Sequence, residues 1–162
     1  MKTALPASFL IALLAVPGWA AGDTSVERMA TCQDSWLDWS KADPARMTAF
    51  GDGFRADFSP NADGTFFVPK TAKSVAGLRV TQVYPESLGM GVGFSVVVDA
   101  PFDTARSNLE KLIGKPLVHC EASDNMRSCE LQLGEERTLT LMAEDNAKST
   151  TTLLGCYYYY EK

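Results

Sequence analysis

Four cysteines, Cys32, Cys120, Cys129 and Cys156, are the residues of this chain with the most chemistry to offer. Thiol–disulfide exchange favours a C-x-x-C pair, in which one sulfur attacks and the other resolves, and no such pair occurs. A zinc site would need closely spaced donors, and the chain supplies a single histidine, His119. An even number of cysteines with neither pattern reads as a disulfide framework in an oxidising compartment.

His119 is the only base a nucleophile–base triad could use, and it adjoins Cys120, which is expected to be oxidised. No G-x-S-x-G elbow is present. Hydrolysis by paired carboxylates would need an acid held in an apolar cleft, where its pKa rises. Glu27, Asp34 and Asp38 are expected on the solvent side of a helix, and Glu135-Glu136 and Glu144-Asp145 in turns. The stretch from Ser59 to Gly64 has the outline of a calcium loop, yet Ser59 stands at its first ligand position and Lys70 at its twelfth. A lysine in place of the bidentate carboxylate leaves a plain hairpin turn as the expectation. Gly89-Met90-Gly91-Val92-Gly93 lies within a strand pattern with no helix after it, unlike a phosphate-binding loop. Those glycines are expected to admit a neighbouring backbone or a bulky side chain. No catalytic residue, metal or cofactor is expected.

The run Tyr157-Tyr158-Tyr159-Tyr160 is the most unusual feature. On a strand, Tyr158 and Tyr160 share a face with Leu154 and Cys156, while Tyr157 and Tyr159 share the other with Leu153. One pair can fill core. The second is either covered by loops or serves as an anchor in a protein interface.

The elements that must position these residues are preceded by an export signal. Met1-Lys2 gives a basic start, residues 5–16 are apolar apart from Ser8, and Gly18-Trp19-Ala20 has small residues at both cleavage positions. Residues 1–20 are therefore read as a cleaved signal peptide, too short to span a bilayer. No cysteine for lipid attachment follows directly and no second long apolar run exists, so no membrane anchor is expected. The expected location is the periplasm, with secretion as the alternative. Residues 21–162 form one expected domain. Without Lys2, 14 basic residues face 20 acidic ones, and a net charge of about −6 opposes nucleic acid and speeds encounter with a basic partner.

A capping box at Thr24-Ser25-Val26-Glu27 opens a predicted helix over 24–41, with Val26, Met29, Ala30, Trp36 and Leu37 on one face and Cys32 at its flank. Asp43-Pro44 starts a second, short helix that Gly51 closes. Phe54, Ala56 and Phe58 alternate as a strand, and a turn at 60–64 leads to a second strand at 65–68. Residues 69–76 read as loop. Strands follow at 78–84 and 90–98, the latter with Met90, Val92, Phe94, Val96 and Val98 on one face. A helix over 104–113, capped by Asp103, buries Ala105, Leu109, Leu112 and Ile113 and ends at Gly114 and Pro116. Strands at 117–121, 127–133, 137–143 and 150–160 complete the chain.

This order predicts an α+β domain, an antiparallel β-sheet packed by an N-terminal helix and a mid-chain helix and held by two disulfides. Four cysteines permit three pairings. Cys120 and Cys129 flank a turn between consecutive strands, which leaves Cys32 to Cys156, a closure contributing on the order of 4 kcal/mol. The functional expectation is a non-enzymatic, exported protein-binding domain, an inhibitor or immunity protein against an envelope-targeting enzyme. Its interface would include Tyr157, Tyr159, Glu86, Asp124 and Asn125, in or beside loops 85–89, 122–126 and 144–149. Two alternatives are a small hydrolase using carboxylates and a carrier of a small apolar ligand between helix and sheet. The sequence leaves the oligomeric state open.

Overall fold

The computed structural model describes residues 23–87, 91–123, 125–145 and 148–159. The expected signal peptide (residues 1–20), Tyr160 and Asp124 lie outside them. Helices α1 (Asp23–Ala30), α2 (Trp36–Ala42) and α3 (Pro44–Asp57) open the chain. Strands β1 (Phe58–Pro60), β2 (Phe67–Pro69), β3 (Ser74–Val75), β4 (Leu78–Ser87) and β5 (Gly91–Val98) follow. Helix α4 (Phe102–Ile113) then leads to β6 (His119–Ala122), β7 (Met126–Gln132), β8 (Arg137–Glu144) and β9 (Thr152–Tyr159).

The strands build one antiparallel sheet in the order β1-β2-β4-β5-β9-β8-β7-β6, with β3 also paired to β4. The expected α+β architecture is therefore present. The two-residue period places one row in register across six strands: Val83, Val96, Leu154, Leu141, Cys129 and Cys120. Of that row, Val83, Val96, Leu154, Leu141 and Cys129 are fully buried beneath the helices. Phe94, Cys156 and Leu139 form the next buried row. Phe102, Ala105 and Leu109 of α4 and Val26, Met29 and Ala30 of α1 close the core from the same side.

The N-terminal region departs from its expected form. The 24–41 helix is two helices, because Cys32 takes a left-handed backbone, with φ 61°. The Gln33 amide donates to the Arg28 carbonyl at 2.8 Å and the Cys32 amide to Met29 at 3.4 Å, the paired bonds of a Schellman ending. Glycine usually fills that position, since a Cβ there costs about 1–2 kcal/mol. Here a cysteine holds it and reaches down to Cys156 with a Cα–Cα distance of 5.1 Å. Ser35 then restarts the helix, its Oγ accepting from the Asp38 amide at 3.2 Å. Glu27, expected in a capping box, instead turns Oε2 to the Ala76 amide at 2.8 Å.

Asp43 caps α3 as expected, but the helix continues through Gly51 to Asp57. Phe50 and Phe54, one turn apart, set their rings against Phe94, Phe58 and Phe67. That ring packing outweighs the cost of two glycines, about 1 kcal/mol each, and places Phe54 on a helix rather than a strand. The turn at 60–64 is a hairpin turn stitched by side chains. Asp63 Oδ1 accepts from the amide and hydroxyl of Thr65, which lowers its pKa, and Asn61 Oδ1 accepts from the Phe66 amide.

Residues 69–76, expected as loop, contain β3, which joins β4 through Ala76 and Gly77. Both have positive φ, 51° and 72°, as a tight two-residue hairpin requires. Helix α4 starts at Phe102, two residues early, so Asp103 lies in its first turn and pairs with Arg127 instead of capping. Phe102 takes the buried place expected of Leu112, which is 38% exposed. At its end, Glu110 accepts the Leu117 amide and Arg106 donates to the Leu117 carbonyl, each at 2.9 Å. The amide bond lowers the Glu110 pKa and fixes the entry to β6.

Candidate binding surfaces

Both disulfides join the expected partners. Cys120 and Cys129 are directly opposed in β6 and β7, 4.0 Å apart at Cα, and Cys32–Cys156 ties the α1 ending to the central strand β9. All four sulfurs are thereby committed. His119 is exposed on edge strand β6, opposite Glu130.

The tyrosine run divides between the two faces of the sheet. Tyr158 faces the helices, is 2% exposed and donates its hydroxyl to the Asp34 carbonyl. Burial raises its pKa well above the ordinary tyrosine value, against the opposing pull of the nearby Arg137. Tyr157 is half-buried and Tyr159 is 47% exposed, both on the other face. Their register partners in β5 are Gly93 and Gly91. Glu86 pairs with Gly93 from β4, which brings it to the same end of the sheet as Tyr157 and Tyr159.

Asn125 is exposed at the opposite end, where its carbonyl accepts the Asp145 amide at 2.9 Å. The expected interface residues therefore do not gather into one patch. A strand period places a residue on a face, but only the pairing partners decide at which end.

All four helices occupy one face of the sheet. Among the described residues, no element covers the other. Val97, Leu153 and Met142 lie in register across the middle of that face, each half-buried, with Ser128 and Glu121 continuing the row to the edge. Val97, Leu153, Met142 and Met126, the last 37% exposed, floor a groove of about 760 Å³ walled by Glu144, Lys148 and Thr151. Met126, Glu144, Lys148 and Ser149, from two of the three expected contact edges, line this groove. Glu121 and Glu130 are exposed on the same face, on β6 and β7.

Beside the groove, Gly155 stands opposite Ser95 in neighbouring strands. A Cβ at 155 would overlap the Ser95 Cβ and lie 2.9 Å from its Cα. Cross-strand Cβ atoms ordinarily sit about 4.5–5.5 Å apart, so the two directions converge here and the sheet is concave toward this face. Thr138 and Thr140 line the same face and are nearly buried within the curve.

The helical side holds a second hollow. A cleft of about 310 Å³ lies between α1 and α3, walled by Val26, Trp39, Phe50, Phe54 and Phe58. At its mouth the Arg46 guanidinium lies 4.2 Å from the Trp39 ring centre. The same guanidinium donates to Asp34 at 3.1 Å, and Arg28 donates to Asp34 at 2.6 and 3.1 Å. Asp34, expected on the solvent side of a continuous helix, is only 9% exposed because the chain break turns it inward. Its carboxylate raises the Arg28 pKa, first through the hydrogen bond and then through charge.

All seven arginines pair with a carboxylate. Among the described residues, no three His, Cys, Asp or Glu side chains converge as a metal site would require, and no helix is long and apolar enough to cross a membrane. A strand at Phe54 hides the cleft; the spacing of Phe50, Phe54 and Phe58 by four is the signal the sequence offers for it. No family model, no curated protein and no solved structure matches this chain.

Proposed function

We propose that the chain is an exported, disulfide-braced protein-binding domain that acts through the uncovered face of its sheet and performs no catalysis. The observation that carries this reading is the half-exposed apolar row Val97, Leu153 and Met142, set in a groove with charged walls. An apolar centre within a polar rim is the anatomy of a recognition surface. Exposed Glu121 and Glu130 on the same face favour a basic partner. The leader at residues 1–20 and the two disulfides favour an oxidising compartment, with the periplasm as the location. Within that compartment, the reading extends to an inhibitor or immunity protein against an enzyme of the cell envelope.

The test is capture from a periplasmic extract with the oxidised chain lacking residues 1–20, compared with its Leu153→Glu variant. A partner retained by the parent and lost by the variant supports the reading. No captured partner, or equal capture by both, overturns it.

A further inference from the structure

We propose that the cleft beneath α3 is a separate binding site, for a small aromatic or short-chain molecule that carries one carboxylate. Helix α3 buries none of its fourteen residues fully. It rests on the sheet through ring edges: Phe50 lies 6.0 Å from Phe94, and Phe54 lies 5.0 Å from Phe67. This support leaves a gap of about 310 Å³, at the lower end of the range for small-molecule pockets. Its walls are rings and aliphatic groups, which suits a flat apolar body about the size of two fused rings.

The mouth determines the charge of the occupant. Two arginines share one aspartate there, so the Arg28–Asp34–Arg46 cluster carries a net charge of one positive unit. Arg46 lies over the Trp39 ring, and only its Nη2 is engaged by Asp34. The other N–H groups of that guanidinium have no partner among the described residues, and its side chain is 49% exposed. A fixed guanidinium with free donors beside an apolar wall is a ready partner for a carboxylate. Asp57, farther along the cleft, is neutralised by Lys73 at 3.0 Å.

Gly53 lines the cleft, and a Cβ added there meets nothing within 4 Å. A methyl at position 53 would therefore meet no neighbour within 4 Å, and a residue larger than glycine also favours the helix. This makes Gly53→Leu a blocking variant that keeps the fold.

The experiment is a titration of the oxidised chain with naphthoate and, separately, with the neutral naphthylmethanol, followed by amide NMR shifts. Naphthoate is expected to shift the amides of α3 and Val26. Gly53→Leu is expected to weaken both ligands by at least about tenfold while its melting temperature stays level or rises. Arg46→Gln is expected to weaken naphthoate by about tenfold and leave naphthylmethanol unchanged, as loss of one charge-assisted contact predicts. Absence of saturable shifts in the parent, or unchanged affinity in Gly53→Leu, would overturn the site. Equal weakening of both ligands by Arg46→Gln would overturn the carboxylate assignment. Neither result depends on whether the sheet's uncovered face binds a protein.

Discussion

The hydroxyl of Tyr158 donates to the main-chain carbonyl of Asp34, which joins the middle of the tyrosine run to the break between α1 and α2. One side chain thus satisfies a buried carbonyl that the interrupted helix leaves open.

This bond gives the fold an alkaline limit. Tyr158 keeps its proton when folded, because burial disfavours the phenolate, whereas the unfolded chain releases it near the ordinary value of 10.0. A pKa raised by folding contributes stability that is complete below the unfolded value and lost as pH rises past it. Urea unfolding from about pH 8 to about pH 11 should show this loss, and Tyr158→Phe should flatten it. At neutral pH the same variant should be less stable by about 1–2 kcal/mol, since the Asp34 carbonyl loses its donor.

The two disulfides should differ in weight. Cys32–Cys156 closes 124 residues and Cys120–Cys129 only nine. The chain-entropy relation assigns them about 5 and about 2.5 kcal/mol. Replacing each pair by alanine and measuring urea midpoints should reproduce that order. Cys32→Gly paired with Cys156→Ala should recover about 1 kcal/mol over the double alanine variant, because glycine accepts the left-handed position.

The β3–β4 turn is held from both sides. Glu27 of α1 accepts the Ala76 amide, and Asn108 of α4 donates to the Ala76 carbonyl at 3.1 Å. Alanine is a poor residue for a φ of 51°, whereas Asn-Gly is the preferred pair for such turns. Ala76→Asn should raise stability by about 0.5–1 kcal/mol in thermal unfolding, with both clamping bonds kept. Glu27→Ala should lower it by at least as much.

Gly155 and Ser95 should behave as one unit. Gly155→Ala drives a methyl into Ser95 and should cost about 1–3 kcal/mol. Adding Ser95→Gly removes the overlapping Cβ, so a double-mutant cycle should yield a coupling of about 1 kcal/mol or more. Strict additivity would show that the curvature of the sheet adjusts freely at this point.

The sequence discloses the centre of the sheet better than either its borders or its uncovered side. Val92, Phe94 and Val96 alternate with Gly91, Gly93 and Ser95, and Leu154, Cys156 and Tyr158 keep the same period, so strand and face are both legible. The pairing of Cys120 with Cys129 follows from two strands and one turn. The N-terminal region is less legible because its helical stripe stays in phase across a break. At that break Cys32 bonds Cys156, 124 residues away, and local periodicity carries no trace of this. Asp34 was misplaced for the same reason, and with it the charged mouth of the cleft. The groove was half legible: its bordering loops are turn-formers by composition, but their convergence depends on the order of strands. The convergence of Gly155 on Ser95 lies beyond any strand pattern, since it is a property of sheet curvature.

Strand β9 lies between β5 and β8, although it is made after both. A ribosome or an export channel delivers the chain from its first residue to its last, so the sheet stays in two separate parts until β9 arrives. Those parts leave the edges of β5 and β8 that pair with β9 without a partner strand. The chain should therefore depend on protection from aggregation throughout delivery, and a frameshift within β9 should abolish the fold as completely as one near its start.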